Sequence, residues 1–343
     1  MLLEIDGSYG EGGGQILRNA VALSTLTKKP VKITNIRANR PNPGIKPQHY
    51  ISIKSIQELC CAKTTGLEIG SSTLSFTPGD FKGGKYKFDI GTAGNITLVF
   101  QACILASFNS KEPVTIKLNG GTDVKWSPSW DYFTNVFLPL LKKMGVSVET
   151  KLITRGYYPK GGGEAEITIN PCKKINPLRL DRYQEFSDVK GVINIAGLPD
   201  HISTRMKHSA NKLLLKENFM SNIEIERFSS ISQGAGITLW VESKDTILGT
   251  TVLGERGVSS EEVGKTAVMK LLSEIQSQST LDVYAFDQLL PYMALAEDSS
   301  SCFVKELSNH ANTNIWLVKQ FLDVNFEAKN KEDNFKITIS PDK

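Results

Sequence analysis

The chain has 343 residues, enough for about two domains at ~100–200 residues each, with 40% hydrophobic and 22% charged residues. That balance excludes a collagen-like, disordered or disulfide-scaffold protein, and no stretch approaches the ~18 consecutive apolar residues of a membrane span. The formal charge of +4 at pH 7 neither demands nor excludes a polyanionic partner. The N-terminus carries Glu4 and Asp6 and no basic region ahead of an apolar run, unlike a signal peptide, so the expected location is cytoplasmic. Cys60, Cys61, Cys103, Cys172 and Cys302 form no C-x-x-C pair and read as buried apolar thiols.

The chain opens with an alternating strand over Leu2–Asp6, a Gly-rich turn, and an apolar-periodic helix through Ile16, Leu17, Ala20, Val21 and Leu23. Val31–Ile36 reads as a strand by its β-branched content, and a helix follows over about Gln48–Cys61. Short strands at Leu67–Ile69 and Thr73–Phe76 close the unit. The same order returns with a strand at Tyr86–Ile90, a turn at Gly91–Gly94 and a helix over Asn95–Phe108. A strand at Pro113–Leu118, a helix over Asp131–Lys143 and strands at Ser147–Leu152 and Glu164–Ile169 complete it. A βαβαββ unit used twice accounts for two Gly-rich turns about 80 residues apart, each opening an apolar helix. Near the end come a helix over Asp287–Ala296, a strand over Ser301–Glu306, a helix over Thr313–Leu322, and strands Val324–Lys329 and Asn334–Ile339. Residues 182–278 read as a separate small α/β domain, with a strand at Ile237–Val241 and a helix over Ser259–Ile275 begun by a Ser259/Glu262 capping box. The expected fold is therefore α+β. Three βαβαββ repeats form a large domain (1–181 and 279–343), and the small domain is inserted before the third repeat.

Four segments carry candidate chemistry. Glu11-Gly12-Gly13-Gly14-Gln15-Ile16-Leu17-Arg18 joins strand to helix, and its glycines let a ligand approach a helix N-terminus that favours anions. It is neither a P-loop nor a G-x-G-x-x-G fingerprint. A carboxylate before the turn and an arginine one turn into the helix suit a metal-bound polyphosphate, or make a surface ion pair. In the loop Arg37–His49, three prolines and a glycine stiffen a connection bearing Arg37, Arg40, Lys46 and Gln48, and arginine's planar fork matches phosphate. The loops NGGTDVKWSPSW and RGYYPKGGGE suit either base stacking or plain connection. Of the four histidines, none has metal-site spacing; His310, just before an apolar helix, is on spacing alone as compatible with capping as with a cleft.

Together these segments resemble the RNA 3′-terminal phosphate cyclase family. EGGGQILR, RANRPNPGIKPQH, TAGNITLVFQ, RGYYPKGGGE, GERGVSSEEVG, FDQLLPYMALA and HANTNIWLVKQFL follow the family's successive blocks in order over essentially the whole chain. The resemblance implies the three-repeat fold with an inserted small domain. It also implies ATP-dependent conversion of an RNA 3′-phosphate to a 2′,3′-cyclic phosphodiester through a covalent histidine–AMP and an RNA(3′)pp(5′)A intermediate. By match to the family pattern, His310 is the nucleophile and Glu11 sits beside the metal–triphosphate. Arg18, Arg37, Arg40 and Gln48 contact phosphates of ATP or the RNA end, while Gln101, Pro128, Tyr284, Asp287 and Gln288 line the nucleotide pocket. The implied partners are ATP, Mg²⁺ or Mn²⁺ arriving with it, and RNA ending in a 3′-phosphate; a homo-oligomer stays open. In the loop NGGTDVKWSPSW, Asp123, Lys125 and Trp126 are expected to be variable, which bears on base preference or RNA contact.

Two rival readings fit the sequence less well. A non-catalytic ribosome-assembly or RNA-processing relative lacks the histidine, and His310, Arg18 and Glu11 argue against it. The enolpyruvyl transferases share a repeated βαβαββ architecture but are longer and need no nucleophilic histidine. Charge distribution agrees with the cyclase reading: residues 12–57 hold eight basic and no acidic residues, so that segment is +8 and the remainder −4. Such a focused patch suits ATP and an RNA end better than coating of long nucleic acid.

Overall fold

The computed structural model describes residues 2–342. The first six elements are β1 (Leu3–Asp6), α1 (Gly14–Thr27), β2 (Val31–Thr34), α2 (Pro47–Leu59), β3 (Lys63–Thr65) and β4 (Leu74–Thr77). They form a sheet of order β1-β2-β4-β3, with β1 and β2 parallel and the other pairs antiparallel. The third strand lies four residues before its expected place at Leu67–Ile69. The chain must reverse at Gly66, which has φ +78° and no room for a Cβ beside the Thr73 carbonyl. Helix α2 likewise stops at Leu59 because Cys61 takes a left-handed φ of +49°.

Next come β5 (Gly84–Asp89), α3 (Ile96–Ala106), β6 (Val114–Gly120), α4 (Trp130–Tyr132), a π-helical turn (Phe133–Phe137), α5 (Leu138–Lys143), β7 (Val148–Thr154) and β8 (Gly163–Ile169). Their sheet runs β5-β6-β8-β7, the same order as the first. The single helix expected over Asp131–Lys143 is thus interrupted by a π turn, which rotates Phe133 and Phe137 into the core. Alternation along β6 and β8 puts Val114, Ile116, Leu118, Ala165, Ile167 and Ile169 inside. Helix α3 is apolar on nearly every side and packs on both α1 and α2.

The chain then contributes β9 (Asp188–Ala196), α6 (Asp200–Lys216), β10 (Met220–Phe228), β11 (Gly234–Glu242), β12 (Ile247–Leu253) and α7 (Ser260–Gln276). Strands β9 and β10 are parallel across the α6 crossover, in a sheet of order β10-β9-β11-β12 with its own core, from Phe186 to Ile275. Ser259 caps α7, accepting from the Glu262 N–H at 3.2 Å. The last elements are α8 (Val283–Ala294), β13 (Ser300–Val304), α9 (Asn309–Phe321), β14 (Val324–Asn330) and β15 (Phe335–Pro341), with sheet order β13-β15-β14.

The chain reaches this third sheet before it enters the small unit. Arg179 bridges Ser301 in parallel, with the Leu180 N–H donating to the Ser301 carbonyl and the Ser301 N–H to that of Leu178, each at 2.8 Å. The chain thus touches the third sheet at one isolated bridge before β9 begins. Sequence periodicity missed this because a single bridge at residue 179 carries no alternation to read. Among the described residues, four cysteines are buried thiols and Cys61 is exposed. No helix there is long and apolar enough to cross a membrane.

Candidate active site

Helix α1 begins where Gly10 (φ +56°) and Gly12 (φ +58°) turn the chain sharply out of β1. Its N-cap is Gly13, which offers no side-chain cap, and its first turn holds no acidic residue. The first N–H groups are thus left for an external acceptor, at the positive end of the helix dipole. Gly14 is required by contact: a Cβ there would lie 2.0 Å from Nε2 of His49 on α2. The Lys46 N–H donates to His49 Nδ1 at 3.3 Å, which puts the proton of the neutral ring on Nε2. Burial, aided by Arg18, Arg37 and Lys46, pushes the His49 pKa down to about 3, so it adds no charge to this patch.

Glu11 bridges two other elements. Its Oε1 accepts from Arg40 Nη2 at 2.5 Å, and its Oε2 lies 2.9 Å from His310 Nδ1. Gln15 Oε1 approaches the same Nδ1 at 2.8 Å. Both neighbours are acceptors, so Nδ1 carries the proton and donates to them, and the lone pair of Nε2 is left free. The His310 side chain is 48% exposed. Burial pulls its pKa below the ordinary 6.5; Glu11 opposes this, and Arg18 and Arg40 add to it. The ring is neutral at pH 7.

The lower layer fixes α9. Ser308 caps that helix, accepting from the Ala311 N–H at 2.9 Å while donating to the Asp287 carboxylate at 2.7 and 2.9 Å. Asn314 Nδ2 donates to the Asp287 carbonyl at 2.9 Å and accepts at Oδ1 from Asn19 of α1 at 2.8 Å. Thr313 Oγ1 accepts from the Glu11 N–H at 3.3 Å. Helices α1, α8 and α9 are thereby locked with His310 facing Glu11. Burial with only a hydroxyl as donor, next to Asp282, Glu11 and Glu306, raises the Asp287 pKa to about 7.

Glu11, Arg40 and His310 meet directly. Arg18 acts on His310 through space, and burial lowers its own pKa to about 10. Arg37 is partly committed to its own loop, donating to the Asn42 carbonyl at 2.6 Å and that of Gly44 at 3.3 Å. Gln48 keeps a buried Nε2 with no partner, on the helix that carries His49. On the α8 side, Gln101 donates to Gln288, and Gln288 Nε2 donates to the Tyr284 carbonyl at 2.8 Å, while the Tyr284 ring is 55% exposed. The Pro128 carbonyl accepts from Asn95 Nδ2 at 3.0 Å and Thr97 Oγ1 at 2.9 Å, which holds its loop on the start of α3. Asp287 differs from an open lining residue, since its carboxylate is turned to Ser308 and 8% exposed. Sequence reasoning missed Gln15, His49 and Ser308. Gln15 and His49 stand inside quoted motifs, but no spacing rule marks an amide or a buried histidine as a partner.

Among the described residues, no group of three His, Cys, Asp or Glu side chains is arranged to hold a metal ion. Among the described residues, Glu11 is the carboxylate paired with His310, which fits a hard cation that brings most of its oxygen ligands with a polyphosphate.

The fold and site define a mixed α/β protein in which a helix N-terminus, Arg18, Arg40 and His310 gather around Glu11. The sequence model of the RNA 3′-terminal phosphate cyclase family matches residues 9–328. The RNA 3′-terminal phosphate cyclase of Methanosarcina barkeri is 45% identical over 99% of this chain and 100% of its own length. The protein of that name from Pyrococcus furiosus is 42% identical over 96% of this chain and 95% of its own. That from Nitrosospira multiformis is 41% identical over 99% and 97%. The chain belongs to the RNA 3′-terminal phosphate cyclase family.

Proposed function

We propose that this enzyme converts an RNA 3′-phosphate to a 2′,3′-cyclic phosphodiester at the expense of ATP, with His310 as the nucleophile. The observation that carries the reading is the pair of acceptors, Glu11 and Gln15, on His310 Nδ1, which leaves Nε2 unprotonated on a half-exposed side chain. In the first step Nε2 attacks the α-phosphorus of ATP; an N–P bond forms, the bond to the β-phosphate oxygen breaks, and pyrophosphate leaves. An oxygen of the RNA 3′-phosphate then displaces the imidazole, giving RNA(3′)pp(5′)A and restoring His310. Finally the neighbouring 2′-OH attacks the activated phosphorus, releasing AMP and a proton. That hydroxyl is already adjacent to its target, so effective molarity carries much of the last step.

The uncapped start of α1, with Arg18, Arg40 and the partly free Arg37, supports charge stabilisation on the departing phosphates. Gln48, with its unpartnered Nε2, is assigned to phosphate of ATP or the RNA end. The ATP base is assigned to the exposed Tyr284 ring, with Gln101, Gln288 and Pro128 around it and Asp287 beneath as support for α9. A Mg²⁺ or Mn²⁺ ion would arrive on the triphosphate, be held there by Glu11, and neutralise phosphate charge. We read the three matching sheets as βαβαββ repeats, the last reduced at its first strand to the bridge at Arg179, with the small unit as an inserted domain. The test is incubation with ATP, Mg²⁺ and an RNA bearing a 3′-phosphate. The expected product is a phosphatase-resistant cyclic end, and RNA that stays fully phosphatase-sensitive overturns the reading.

A further inference from the structure

Two aromatic side chains stand in water on adjoining loops. Trp126 is 96% exposed and sits at a left-handed φ of +62°, a conformation that disfavours a bulky side chain. Tyr158 is 77% exposed. Their loops pair at Asp123 and Tyr157 and are anchored from below. Tyr157 is buried, its hydroxyl donating to Asn194 Oδ1 at 2.8 Å, and Asp123 is buried on Arg155 at 3.1 Å. The platform is therefore rigid at its base and bare on top. Lys125 reaches Glu255 at 2.7 Å, bringing in the loop of Arg256. Arg256 and Lys160 are exposed, and among the described residues neither pairs with a carboxylate.

This surface is continuous with the active site through close backbone contacts. Gly161 packs against Thr92 and Ala93, and Gly121 against the Ala93 carbonyl. A Cβ on Gly94 would lie 3.0 Å from Cβ of Gln48, beside the start of α2. Side chains at these glycines would push the two surfaces apart.

We propose that Trp126 and Tyr158 form a stacking platform, flanked by Lys160 and Arg256, for single-stranded bases upstream of the RNA 3′ end. The occupant is chosen by charge and geometry: exposed rings stack bases of any sequence, free cations take the backbone, and the platform reaches Gln48 at the start of α2 through Gly94. This rests on the reading that the substrate is an RNA end.

The test compares the full-length protein with a W126A/Y158A variant. Self-adenylation from ATP alone is expected to be unchanged, because neither side chain touches the His310 cluster. KM for a ten-nucleotide RNA 3′-phosphate is expected to rise about tenfold or more, with little change for a dinucleotide 3′-phosphate, and W126F is expected to restore most of the loss. Equal KM values for the long RNA overturn the proposal, as does a variant that changes only the oligomeric mass. If wild type neither adenylates nor cyclises, the functional reading fails by itself, and the platform is still tested by fluorescence. Quenching of tryptophan emission by the same RNA, present in wild type and absent from W126F, supports it; equal emission with and without RNA overturns it.

Discussion

Two ion clusters built from the same residue types behave in opposite ways. Arg155 is buried between the second sheet and the small unit, bound to Asp123 at 3.1 Å, Asp131 at 2.6 Å and Glu226 at 2.8 Å. Asn194 donates to both aspartates, at 3.2 and 3.0 Å, and the guanidinium lies 4.9 Å from the Phe228 ring centre. Around Arg155 the negative charge exceeds the positive and the partners are held by one another. At Glu11 the balance is reversed: one carboxylate serves Arg40 and His310, Arg18 stands behind, and the side chains are a quarter to a half exposed. The first arrangement buries its charges against one another and holds two units of the chain together, with Arg155 Nε left without a partner. The second has surplus positive charge, a free lone pair and access to solvent. Charge identity is common to both; burial and the sign of the surplus charge separate structural from reactive clusters.

The comparison breaks first at His310. H310A should abolish transfer of label from α-labelled ATP to the protein without loss of fold, as followed by acid-labile, alkali-stable gel labelling and circular dichroism. Persistent labelling removes His310 as the nucleophile. At the other cluster, R155M leaves buried carboxylates uncompensated and should cost roughly 3–5 kcal/mol in chemical denaturation. A loss below about 1 kcal/mol would show the network to be dispensable.

Asp287 combines the two environments, being buried but without a cation. Its folded pKa of about 7 lies above the ordinary 3.8. Its stabilising effect is therefore complete below about pH 4 and is lost as pH rises towards 7, by roughly 3–4 kcal/mol. D287N should flatten the stability profile over that window, and an unchanged slope would assign the titration elsewhere. R40A should slow adenylation by roughly a hundredfold, the scale of one lost charge-stabilising donor. It also frees Glu11 to raise the His310 pKa, so the acid limb of the rate profile should move to higher pH. The smallest effect belongs to Lys125 and Glu255, an exposed pair at 2.7 Å. K125A should change stability by less than about 1 kcal/mol.

The loop around Asp123 shows where reading a sequence stops. Asp123, Lys125 and Trp126 stand close together in the sequence, yet Asp123 is buried on Arg155, Lys125 makes a surface pair and Trp126 is nearly free in solvent. Arg155 itself, in a Gly/Tyr-rich segment, was as compatible with a basic platform as with a hairpin connection. The segment divides: Arg155 and Tyr157 are internal, and Tyr158 and Lys160 are outside. Local composition cannot register which side of a turn meets another sheet.

Periodicity and turn chemistry in the sequence determined the α+β class, the helices that begin at the glycine turns, and the strand alternation of β6 and β8, because these depend on neighbours three, four or two residues away. The basic surplus of residues 12–57 is equally local, whereas the roles expected of Glu11, Arg18, Arg40 and His310 came from the resemblance of the ordered motifs to a known family. Tertiary structure decided the rest. It placed Gln15 on His310 across 295 residues of chain, turned Asp287 to Ser308, and bridged Arg179 to Ser301 of β13. It also set the protonation of His310, since pKa is governed by burial and by charges brought close in space, and neither distance is written along the chain.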